Sequence, residues 1–124
     1  MAVVLAPWCV VLAFSLPTTT IAAHWSLAWS GLDAAEAIIA ALTAYLIHRR
    51  SPAAAVTSAM VGTLLLADAW FDVCTSARGL PQLIAVLQAA LLEIPLSCAA
   101  LWFAAVTIRC AAQAGSRAGT TAGA

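Results

Sequence analysis

Four apolar stretches of about twenty residues each, at 3–23, 27–47, 53–73 and 83–108, leave this chain few ways to fold. The hydrocarbon core of a bilayer is about 30 Å thick, and a helix rising about 1.5 Å per residue crosses it in about 20 residues. Lipid offers the backbone no hydrogen-bond partner, so such stretches cross as helices that satisfy their own N–H and C=O groups. Composition agrees, with 65% of the 124 residues hydrophobic and 8% charged, against roughly a quarter charged in a soluble domain. The sequence therefore predicts an all-α, four-transmembrane-helix bundle, multi-pass in the cell membrane, with the lipid bilayer as its first partner.

The breaks between stretches have local causes. Arg49-Arg50-Ser51-Pro52 combines two charges, a capping serine and a proline suited to the first turn of a helix. Ser76-Ala77-Arg78-Gly79-Leu80-Pro81 does the same before the fourth stretch, with Gly79 permitting a turn. Connections this short make neighbouring helices antiparallel. Residues 1–113 form the membrane domain. Residues 114–124, made of Gly, Ser, Thr and Ala with one Arg, are too poor in large apolar groups to pack and read as a disordered tail. The first stretch has an alternative reading as a cleaved signal peptide ending near Ile21-Ala22-Ala23, although no basic residue precedes it.

The arginines orient the bundle. Four spans put the N-terminus, the turn after the second stretch and the tail on one side with Arg49, Arg50, Arg109 and Arg117, leaving Arg78 on the other. The positive-inside rule then makes both termini cytoplasmic. Trp8 and Trp102 fall near the inner interface, and Trp25, Trp29 and Trp70 near the outer one, as two aromatic belts.

Several functions are excluded. Five Arg, no Lys and zero net charge leave no basic stripe to neutralise a phosphate backbone, so nucleic acid is not a partner. Cys9, Cys98 and Cys110 lie in or beside apolar runs and no C-x-x-C occurs, so the cysteines read as small packing residues. His48, beside Arg49 and Arg50, reads as a solvated interface residue. Without paired His spacing or Glu-x-x-His, neither a metal centre nor another cofactor is expected.

The acids carry the functional signal. Asp33 and Glu36 lie in the second stretch, Asp68 and Asp72 in the third and Glu93 in the fourth. Each costs about 2.5–3.5 kcal/mol at mid-bilayer on insertion scales, so they are expected to face one another or water. Separations of three residues for Asp33/Glu36 and four for Asp68/Asp72 keep each pair on one helical face. Asp33 and Asp68 fall roughly 8–9 Å below the outer surface at the helical rise per residue, with Glu36 and Glu93 deeper and Asp72 at the mouth. Like charges this close cannot all ionise. The expectation is an outward-facing acidic pocket rimmed by His24, Trp29 and Trp70 and closed by apolar residues on the cytoplasmic side. Pro95 withholds an N–H from Leu91 and is expected to bend the helix past Glu93, leaving the Leu91 carbonyl and Ser97 on the pocket wall. Ala37, Ala40, Thr43, Ala44 and Gly62 are small enough for close helix approach.

The string Asp68-Ala69-Trp70-Phe71-Asp72-Val73, preceded by Trp29-Ser30-Gly31-Leu32-Asp33 and followed by Glu93-Ile94-Pro95-Leu96, resembles a group of small four-helix membrane proteins of high-GC actinobacteria without an assigned function. The resemblance covers the second to fourth stretches and implies that these acids belong to the group's pattern. Small multidrug-resistance exporters share the size and span number but carry an essential Glu in their first helix, where this chain has none.

Protonatable groups at related depths mark ion pathways and proton relays. The leading reading is a transport component binding a proton, cation or cationic solute at Asp33, Glu36, Asp68, Asp72 and Glu93. A second is an intramembrane enzyme that uses buried carboxylates for acid/base chemistry on a lipid or isoprenoid. A third is an accessory subunit whose acids pair with a larger membrane partner, and a homo-oligomer is compatible with each.

Overall fold

The computed structural model describes Val11, Phe14 and residues 23–122, with side chains as far as Ala114. Apart from Val11, Phe14 and Ala23, the first apolar stretch lies outside the described residues, as do Trp8, the signal-peptide reading and the position of the N-terminus. The described chain forms α1 (Trp25–His48), α2 (Ala54–Thr75), α3 (Leu80–Gln88), a π-helical turn (Ala89–Glu93) and α4 (Ile94–Ala122), with no strand among these residues. Three rods are long and apolar enough to cross a membrane: α1, α2 and the continuous rod Leu80–Ala114. The protein is thus an all-α chain with multi-pass character. Beyond Ala114, α4 runs on to Ala122, through the stretch whose composition predicts a disordered tail. Once a helix is nucleated, each further residue adds a hydrogen bond without a new nucleation cost.

The turns follow from their residues. Arg50 takes a left-handed conformation (φ 51°), donates its N–H to the Ile47 carbonyl, and is followed by a bond from Ser51 N–H to the Leu46 carbonyl. These paired bonds close the C-terminus of α1 and occupy carbonyls that the helix would otherwise leave free. Ser51 Oγ accepts the N–H of Ala53 at 3.3 Å within the turn, while the residue that caps α2 is Ala53, without a side-chain capping bond. Gly79 sits at φ 102°, ψ −139°, a region that side chains rarely enter. Gly79→Ala is expected to cost roughly 1–3 kcal/mol, the usual range for such backbone strain, read as a lower midpoint in detergent unfolding.

Helix α2 is central, with α1 on one side and the α3–α4 rod on the other; α1 and the rod do not meet. Its seam with the rod is built from small residues: Ala54, Ala55, Ser58, Gly62 and Ala69 face Ala85, Ala89, Ser97 and Ala104, all buried. In lipid, where burial of apolar surface gives little between helices, close van der Waals contact and interhelical hydrogen bonds hold such seams. Ser97 Oγ donates to the Gly62 carbonyl at 2.6 Å, and Ser58 Oγ to the Ala100 carbonyl at 2.9 Å. Ser97 is therefore fully buried in the seam rather than on the pocket wall, because the Gly62 carbonyl is its partner.

The π turn keeps that seam straight. Ala85, Ala89, Glu93 and Ser97 recur every four residues and are all buried. Four residues overstep an α-helical turn by about 40°, so three such steps would carry the face about 120° around the rod. The Ile94 N–H bonds to the Ala89 carbonyl, five residues back, and this wider turn absorbs most of that drift. Pro95 has no N–H for the α-helical bond to Leu91, so the α register is interrupted at this point in any case. The expected kink is thus realised as a π turn ending at Glu93.

Candidate functional site

The acids gather toward the Arg78 end of the helices. Asp33 and Glu36 lie in the first half of α1, Asp68 and Asp72 in the last two turns of α2, and Glu93 at the end of the π turn. Asp33, Glu36, Asp68 and Glu93 line one groove of about 920 Å³ in front of α2, between α1 and the rod. The groove does not stop at the acids. It continues past Ala40, Val61, Leu65 and Leu96 to Ile47, Ser58 and Phe103 near the Arg49–Arg50 end. The apolar half expected to close the pocket is, among the described residues, groove wall, since Ala40, Ala99 and Ala100 are too small to fill it.

Burial differs among the carboxylates. Asp33 is exposed and Glu36 half-buried, whereas Asp68 and Glu93 retain 8% and 5% exposure. Glu93 Oε1 accepts a hydrogen bond from Gln88 Nε2 at 2.9 Å. Glu36 Oε1, Asp68 Oδ1 and Glu93 Oε2 are buried oxygens with no hydrogen-bond partner among the described residues. Structural glue would show hydroxyls donating to these groups. Instead Ser30, Thr43, Thr63, Ser76 and Thr107 each donate to the carbonyl four residues back on their own helix, and Ser58 and Ser97 donate across to backbone.

Asp72 lines a separate cavity of about 340 Å³ with Ser76, Pro81 and Gln88. Its carboxylate nonetheless converges with two of the others: one oxygen each of Asp68, Asp72 and Glu93 lie within 4.8 Å of one another. The four-residue spacing on α2 aims both aspartates at the rod, and the π turn presents Glu93 to them. The rim residues are placed elsewhere. Trp29 packs edge-on against Trp25 and Phe71, with centroids 5.5 and 6.5 Å away, while Trp70 and His24 are exposed. None of these three lines the groove. Trp25 and Trp70 are exposed, as interfacial anchors would be. Among the described residues Cys74, Cys98 and Cys110 are free thiols and exposed on the helix surfaces rather than packed between helices, while Cys9 lies outside the described residues.

Gln88 escapes a reading of the sequence alone. Its signal is a polar side chain inside an apolar run, five residues before Glu93, a separation that meets on one face in a π turn and less well in an α-helix. Compared with family models, curated proteins and solved structures, the chain matches none of them.

Proposed function

We propose that the chain is a small transport component of the cell membrane that binds a cation or a cationic solute in the acidic groove. One observation carries the reading: carboxylates from three different membrane-length helices face one groove, and three of their buried oxygens lack partners among the described residues. An acid in a membrane segment is costly, and one left without a donor is expected where a cationic ligand completes it. On this reading the stretch 3–23 is a fourth span. Both termini are then cytoplasmic, with Arg49, Arg50, Arg109 and Arg117 inside, and the acidic end of the groove faces outward. The apolar remainder of the groove offers a route toward the other side, which an outward pocket closed below would lack. The resemblance of Asp68-to-Val73 to small actinobacterial four-helix proteins is part of this proposal, and the aspartates of that motif lie beside Glu93.

The test is flux into liposomes that hold only this protein. Wild type is expected to pass a cation down its gradient, and Asp33→Asn, Asp68→Asn and Glu93→Gln to lower the rate at least about tenfold with insertion intact, as expected for ion-pathway acids. Full flux in all three variants, or no flux of any inorganic or organic cation, would overturn the reading. Conversion of a lipid by protein that carries no ion would move the choice to intramembrane catalysis.

A further inference from the structure

We infer that Asp68, Asp72 and Glu93 form a binding site for a hard divalent cation of calcium size. The inference rests on the groove being a cation site and names the ion class and the ligands. Three observations converge. One carboxylate oxygen from each residue lies within 4.8 Å of the other two. Asp68 and Glu93 are each more than nine-tenths buried, and each keeps a buried oxygen, Oδ1 and Oε2 respectively, with no donor among the described residues. No Arg or His among the described residues forms an ion pair with any of the three. Two of the site's side chains therefore each hold an unsatisfied carboxylate oxygen, and both residues belong to the converging set of three carboxylates.

Geometry and chemistry select the ion. Three points no more than 4.8 Å apart share a centre no more than about 2.8 Å from each, the separation divided by √3. Calcium takes oxygen at about 2.3–2.6 Å in flexible geometry, so a contraction of at most a few tenths of an ångström closes the ring. Magnesium needs about 2.0–2.1 Å and near-ideal octahedral angles and usually keeps several waters, so a ring of three protein carboxylates suits it less. The ligands are all oxygen, which disfavours soft, thiolate- or imidazole-seeking metals. Gln88 steadies the site from behind. By donating to Glu93 Oε1 it fixes the carboxylate and leaves Oε2 for the ion.

The experiment uses full-length protein in detergent or nanodiscs, with Mn²⁺ as the paramagnetic probe and Ca²⁺ as competitor. Electron paramagnetic resonance is expected to count one Mn²⁺ per chain, displaced by Ca²⁺ more readily than by Mg²⁺. Asp68→Asn and Glu93→Gln are expected to weaken binding at least tenfold, and Cys74→Ser, two residues past Asp72, to leave it unchanged. Pulsed spectra of the wild type give a readout that no variant's folding can confound. Bound Mn²⁺ without ¹⁴N coupling supports the all-oxygen site, whereas ¹⁴N coupling would put the ion on a histidine and overturn it. Absence of binding at millimolar Mn²⁺, or binding indifferent to both acid variants, would also overturn it. Binding without flux would sink the transport reading alone, and flux of an organic cation without metal binding would sink this site alone.

Discussion

Gly62→Val is expected to part α2 from the α3–α4 rod and to lower stability by roughly 3 kcal/mol, a change of over a hundredfold in the unfolding equilibrium. A Cβ at this position would meet Leu101 Cγ at 2.7 Å and the Ser97 carbonyl oxygen at 3.0 Å. The Leu101 side chain can turn aside; the Ser97 carbonyl belongs to the backbone of the facing helix and moves only with it. Separation then weakens both interhelical hydrogen bonds, Ser97 to Gly62 and Ser58 to Ala100. Such bonds average about 0.6 kcal/mol in membranes and reach about 1.7, and lost close contact adds the rest. Ser97→Ala, which removes a bond without forcing the helices apart, is expected to cost only about 0.6–1.7 kcal/mol. Gly31, where an added Cβ would meet nothing within 4 Å, is the internal control, and Gly31→Ala is expected to be tolerated. Titration with a denaturing detergent, followed by helicity, measures all three. A Gly62→Val protein as stable as wild type would mean that the seam does not hold the bundle.

How much of this is legible in the sequence depends on which physical signal each residue carries. Membrane-length helices are legible because an apolar run of about twenty residues has few other fates in a bilayer. The turns are legible because Gly79, Pro81 and the Arg49-Arg50-Ser51-Pro52 string act locally. Convergence of the acids is legible in part. Spacings of three and four residues place Asp33 with Glu36 and Asp68 with Asp72, and the charge cost makes all of them seek the interior. What helical spacing cannot supply is the relation between helices. Spacing puts Ser97 on the pocket wall because it lies one turn beyond Glu93, yet it bonds to the Gly62 carbonyl across the seam. Only depth places Trp29 and Trp70 on the rim. Depth does not fix azimuth: Trp29 turns to Phe71 and Trp70 points outward. The π turn is hidden for a related reason. Pro95 announces a break, but whether the chain answers with a kink or with five-residue bonding depends on which face must meet α2. The recurrence of Ala85, Ala89, Glu93 and Ser97 at four-residue steps shows that the whole row must.

Asp68→Leu is expected to make the cation-free protein more stable, by up to about 2–3 kcal/mol, while removing its response to calcium. On insertion scales an aspartate at mid-bilayer costs about 2.5–3.5 kcal/mol, an upper bound at the shallower depth of Asp68, and among the described residues no hydrogen bond to Oδ1 offsets it. Leucine carries no such cost, and it has room because Asp68 borders the 920 Å³ groove. A structural acid behaves in the opposite way, since deleting one partner of a satisfied buried pair leaves the other stranded and destabilises. The sign of the change therefore separates a site kept for its ligand from a residue kept for the fold. Calcium supplies the second half of the test. A ligand that binds only the folded state stabilises it by RT ln(1 + [L]/Kd), about 2.7 kcal/mol at a hundredfold excess over Kd. Wild type should gain that amount as calcium is raised and close the gap on Asp68→Leu, which should gain nothing. Unfolding titrations in chelator and in saturating calcium give both numbers. A destabilised Asp68→Leu in chelator would make Asp68 a fold-bearing residue, and equal calcium responses in the two proteins would place the ion elsewhere.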